Sequence, residues 1–228
     1  MQAEDRPIHF STEMIHPPAG FEKPALQRLY FELSQTPFAY DSSDFSPPTP
    51  PRFYSKGPGK AQSILLFLPD RFVVIEEWVT ISLTQFLDKL EAVSAKVMDE
   101  LSFPPVTVQT AVIRTTFALS HFDDARAFLM DHACQQEGRV GPHMGRPVGV
   151  AGLRFVLPET PDHPGDLNVT IESYRHGQDE VFVEVKGIYQ NQRIDAHSLD
   201  TARANVNHVR TFISNHVYPY LEQFDAVF

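Results

Sequence analysis

The stretch Ser63-Ile-Leu-Leu-Phe-Leu-Pro-Asp-Arg-Phe-Val-Val-Ile-Glu-Glu-Trp78 decides the fold. Two runs of strand-forming residues, Ser63–Leu68 and Arg71–Trp78, flank Pro69-Asp70, a turn signal, so the chain doubles back and pairs with itself antiparallel. In the second run Phe72 and Val74 point one way, and Val73 and Ile75 the other. Both faces of that strand read as covered near its start.

Four residues on, Ser82-Leu-Thr-Gln85 matches a capping box, a hydroxyl N-cap with Gln three residues later. Phe86, Leu87, Leu90, Val93, Val97, Met98 and Leu101 then recur at three- and four-residue spacing, the period of an amphipathic helix. Asp88, Lys89, Glu91, Lys96 and Asp99 fall mainly on its other side. Pro104-Pro105 ends it. Upstream lie a short strand at Arg52–Ser55, a proline-rich linker from Asp41 to Pro51, and a strand predicted at Arg28–Ser34. Residues 1–25, with Pro7, Pro17, Pro18 and Pro24, read as an extended N-terminal arm.

Downstream, a long strand is predicted from Val106 to Leu119. A second box, Ser120-His-Phe-Asp123, opens a shorter helix that fades by Gly138. A Gly-rich loop fills 138–152. Strands follow at Leu153–Leu157, Leu167–Tyr174 and Val181–Tyr189, and Ser198 opens a long helix that Pro219 should kink or end. Consecutive strands on short turns imply antiparallel pairing. The predicted class is therefore α+β: antiparallel sheet with two long amphipathic helices and one short helix on one side. The order reads as one domain over 26–228, with halves 26–101 and 152–226 as candidate repeats of a β-meander–helix unit.

Composition bounds the function. The 228 residues suffice for a sizeable core. Nineteen Lys+Arg against 29 Asp+Glu, a net charge of −10, argue against nucleic acid, whose phosphates require a basic surface. They also disfavour anionic membranes. No apolar run approaches a membrane span, and the N-terminus lacks a signal-peptide pattern, which leaves a cytoplasmic location as the expectation. One cysteine, Cys134, excludes a disulfide framework or a Cys-rich metal site.

The layout resembles a sporadically distributed bacterial family of uncharacterised proteins. The resemblance rests on a Pro-containing start that runs from Pro24 into Phe31-Glu32-Leu33, a β-meander, a long amphipathic helix, a long strand bearing an arginine at Arg114, and an aromatic-rich C-terminal helix. It implies the fold class. It implies no activity, cofactor or catalytic residue.

No phosphate-binding loop, dinucleotide fingerprint, nucleophile elbow or zinc-protease motif is present. Residues 138–158 contain Arg139, Arg146 and Arg154 but no Asp or Glu, a local reversal of charge in which an anionic ligand would find bidentate partners. The competing reading is a surface connection. His132, Cys134 and His143 form no metal site on helical spacing, because residues two apart point about 200° from each other. If the strands are neighbours, Arg114, Thr170, Glu172, Glu184 and Lys186 share one polar sheet surface. The C-terminal helix carries Asn205 and His208 beside its apolar stripe, at a core edge or a homodimer contact. With no catalytic motif assembled, the expectation is a non-catalytic binding or protein-interaction module, without metal or cofactor. The alternative is an enzyme acting on a small anionic substrate through Arg114, Arg139, Arg146, Arg154, Glu184 and Lys186. The test between them is whether the arginines converge on one pocket.

Overall fold

The computed structural model describes residues 6–102, 104–136 and 138–226. In chain order its elements are β1 (Arg6–Ile15), α1 (Lys23–Ser34), β2 (Ser42–Asp44), β3 (Arg52–Lys56), β4 (Gln62–Leu68), β5 (Arg71–Glu77), α2 (Leu83–Leu101) and β6 (Val108–Ala118). Then come α3 (Ala125–Ala127), running into a π-helical turn at Phe128–Ala133, α4 (Val140–Met144), β7 (Gly152–Leu157), β8 (Asp166–Ser173) and β9 (Glu180–Tyr189). The chain finishes with α5 (Leu199–Phe212), a π-helical turn at Ile213–Val217, and α6 (Tyr218–Glu222). The nine strands form one antiparallel sheet in the order β2-β3-β4-β5-β1-β6-β9-β8-β7. This is the α+β class that the strand and helix periods predict.

The helices lie on one side. Phe10 and Met14 of β1, Leu65 and Phe67 of β4, Phe72 and Val74 of β5, and Val181, Val183 and Val185 of β9 share one face. They form a single core with Leu26 and Leu29 of α1, Phe86 and Leu90 of α2, and Val206 and Val209 of α5. The capping box of α2 is present in both halves: Gln85 N–H donates to Ser82 Oγ, and Ser82 N–H donates to Gln85 Oε1.

Three expectations are corrected and a fourth is refined. The segment read as an arm contains β1, which runs through the centre of the sheet between β5 and β6. Its prolines sit at its start and beyond its end, and Phe10, Thr12 and Met14 alternate inward between them. The strand predicted at Arg28–Ser34 is instead helix α1. Leu26, Leu29 and Leu33 are buried at three- and four-residue spacing, Pro24 occupies the first turn where its missing N–H costs nothing, and Phe31 is left exposed. Ser120 does not cap the short helix; Asp124 does, accepting from Arg126 N–H and Ala127 N–H, while the Asp225 carboxylate takes the N–H groups of Ser120 and His121. Before Pro219, the C-terminal helix widens into the π turn, where Tyr218 N–H donates to the Ile213 carbonyl, so the chain passes the proline without ending.

Running outward from the centre, β1, β5, β4 and β3 mirror β6, β9, β8 and β7, and a long helix follows β5 in one set and β9 in the other. The units that share this order begin at the central strands, which halves drawn at 26–101 and 152–226 leave out. Among the described residues, no helix is long and apolar enough to cross a membrane.

Candidate functional site

The sheet face opposite the helices carries most of the residues singled out from the sequence. Register places Arg114 of β6 between His9 of β1 and Glu184 of β9, with Thr170 of β8 and Arg154 of β7 continuing the row. Lys186 lies beside Val112 and Asn168 on the same face, and Glu172 opposite Phe182. Arg114 Nε donates to Glu184 Oε2 at 2.6 Å. Arg154, Glu172, Glu184 and Lys186 line one shallow hollow, while Arg114 and Glu184 line another. Arg139 and Arg146 lie elsewhere, exposed around α4, and line neither. The four arginines therefore do not converge on one pocket. Asn205 and His208 work inside the fold: Asn205 donates to Gln109 Oε1, and His208 Nδ1 is paired with the Tyr189 hydroxyl. His132 packs on the ring of Phe122.

The other half of this face is apolar. Register aligns Tyr54 with Ile64 and Ile75, and Leu66 with Val73, while Leu68 lies opposite Arg71. Ile15, Val108 and Val112 continue the patch onto β1 and β6. Val73 is buried and the rest are half-buried, yet none belongs to the core or packs against it. An antiparallel sheet with one solvated face normally alternates apolar with polar residues. Here the outer face of β4 and β5 carries Ile64, Leu66, Leu68, Val73 and Ile75 between Gln62, Arg71 and Glu77, and helices cover only the other face.

Between the two halves, at one end of the strands, is a cleft of about 320 Å³. Its floor is His9, Arg114 and Glu184; its walls are aromatic. Trp78 follows β5 directly, and strict alternation would send its indole to the helix side with Phe72, Val74 and Glu76. Its φ of +50° breaks the alternation. For so bulky a residue this backbone is an outlier costing roughly 1–3 kcal/mol. Trp78 N–H is pinned to the Ile8 carbonyl, and the indole meets His176 at 6.4 Å between ring centroids. β1 and β6 separate β5 from β9, so this contact arches over both strands. Tyr174 touches His176 and lies nearly parallel to Phe182. Burial, and secondarily the charge of Arg114, pushes the His9 imidazole down to about 4. The floor therefore holds a neutral ring at neutral pH.

A deeper cleft, about 520 Å³, opens on the helix side between α2, the ends of β4 and β5, and the loop Pro37–Ala39. At its base Lys89 Nζ donates to Glu76 Oε1 at 2.8 Å and to Ser63 Oγ, and it stands 4.5 Å from the Tyr40 ring centroid. Ser63 Oγ donates to the same Glu76 oxygen. Burial, aided by Glu76, pushes the Tyr40 phenol well above its ordinary value. Lys89 is only 8% exposed and Glu76 7%. The expected polar placement of Lys89 is thus corrected. It lies three residues after Phe86 and four before Val93, on the apolar stripe, and spacing alone could have shown this. The chain matches no protein-family model and no curated protein.

Proposed function

We propose that this chain is a non-catalytic protein-interaction module that docks through its helix-free sheet face, with a second copy of the chain as occupant. The observation that carries the reading is the apolar outer face of β4 and β5, which has no helix over it. Strands about 4.8 Å apart and about seven residues long give the five strands β3, β4, β5, β1 and β6 an outer face of roughly 550 Å². A standard interface takes about 800 Å² from each partner, so this patch and its rim supply most of one. Two such faces stack about 10 Å apart, as in a β-sandwich. The pair Arg114–Glu184 borders the patch as a polar rim, while the ion pair Arg71–Glu13 lies within it beside Leu68, Val73 and Ile15. The reading of an enzyme with a common arginine-lined anion site lacks such support, because those arginines occupy separate places.

The test is the solution mass of wild type against Leu66→Asp and Ile75→Asp, by light scattering across a concentration series. The expected result is a dimer that becomes a folded monomer in either variant. A wild type that stays monomeric at every concentration, or variants that remain dimeric, would overturn the reading.

A further inference from the structure

The cleft beneath Trp78 is a separate feature from the apolar patch, and its chemistry points to a different kind of partner. We propose that it binds a small quaternary-ammonium compound, a methylated organic cation of choline size.

Three observations converge on that class. First, the walls are aromatic and come from distant parts of the chain: Trp78 after β5, Tyr174 and His176 after β8, and Phe182 on β9. Aromatic faces carry negative potential, and a cation too soft to hold water tightly gains most from exchanging water for such walls. Second, the charge balance is negative. Glu184 is neutralised by Arg114, whereas Glu77 also lines the cleft and has no ion-pair partner among the described residues. His9 adds no positive charge at neutral pH. Among the residues that line the cleft, Glu77 is the carboxylate left to face an organic cation, while the Lys60 ammonium meets the Trp78 ring from outside that lining. Third, the fold sustains a strained backbone at Trp78 to bring the indole to this side of the sheet, where it already takes a cation: Lys60 Nζ stands 4.9 Å from its ring centroid. The volume, about 320 Å³, lies at the small end of the range for ligand sites.

Trp78 is the only tryptophan in the chain, so its fluorescence reports this cleft alone. The experiment titrates the full chain with choline chloride, against sodium chloride at equal ionic strength and against 3,3-dimethylbutan-1-ol, the uncharged isostere. Emission and calorimetric heat are both recorded. The expected result is saturable binding of choline, weaker for the isostere by about tenfold or more, since the charge–ring attraction is lost. Tyr174→Leu and Glu77→Gln each weaken choline by about fivefold to tenfold, while Tyr174→Phe keeps it. Far-UV circular dichroism verifies that the variants fold, and the half-buried Glu77 gives a variant that spares the aromatic packing. A peptide bearing trimethyl-lysine is the second arm: tighter binding than choline supports the same chemistry and assigns its source to a protein tail. A flat titration by both readouts, or equal binding of the isostere, overturns the proposal. The Leu66→Asp monomer binds choline as wild type does, which separates this outcome from that of the dimer test.

Discussion

His9 lies under the aromatic arch, hydrogen-bonded through Nε2 to Ser11 Oγ at 2.9 Å. Its folded-state value of about 4 lies below the ordinary 6.5. Between those values the unfolded chain binds the proton and the folded chain does not, so stability falls as pH drops from about 6.5 towards 4. His208, lowered by burial and then by His163, acts in the same direction. Urea midpoints from pH 7.5 down to 4 should decline, with His9 accounting for at most about 3 kcal/mol, and His9→Gln should flatten the slope. Lys89 makes a second argument at this scale. Removing one member of a buried ion pair strands the other, so Lys89→Met should cost about 3–5 kcal/mol, whereas Lys89→Met with Glu76→Leu should restore most of it. Denaturation midpoints of the single and double variants check this. The sequence reading missed Lys89 because residue type was allowed to outweigh spacing. Trp78 was legible as the end of a strand, but its left-handed turn was not, since a bulky residue takes that backbone only when its surroundings hold it there.

At the scale of elements, α5 sits close against β9 because Gly187 faces it. A Cβ there would come within 2.8 Å of the Tyr189 ring and of Val209 Cγ2. Tyr189 in turn donates its hydroxyl proton to the Asn205 carbonyl of the same helix. Gly187→Ala should therefore destabilise the chain by about 1–3 kcal/mol through overpacking, read as a lower urea midpoint. Elements with local signals were legible: the α2 capping box, the turn at Pro69-Asp70, and strands β4, β5, β8 and β9 all follow from side-chain period and punctuation. Two were misread, each for its own reason. Leu29, Phe31 and Leu33 fit a strand period, while Leu26, Leu29 and Leu33 fit a helix, and only packing against α2 chooses between them. The prolines around β1 read as punctuation of a free arm, although the eight residues from Ile8 to Ile15 contain none.

At the scale of the whole molecule, a face-to-face dimer makes stability depend on protein concentration, because association draws on the folded state alone. The melting temperature of wild type should rise with concentration, and that of Leu66→Asp should not. The sequence by itself determined the alternation of strands and helices, the antiparallel pairing across short turns, and the sharing of a strand side by Thr170 with Glu172 and by Glu184 with Lys186, whereas the adjacency of β6 to β9 that brings Arg114 to them is tertiary. These follow from periods of 2 and 3.6 residues and from short turns, which are local properties. It also showed that β5 carries apolar residues on both sides near its start. Only the tertiary structure decided that helices cover one of those sides, that β1 fills the centre of the sheet, and that Arg139 and Arg146 stay apart from Arg114. It alone brought Trp78, Tyr174, His176 and Phe182 around one cleft. Such contacts join residues about a hundred positions apart, and loop closure and packing, which no local period encodes, set which distant segments meet.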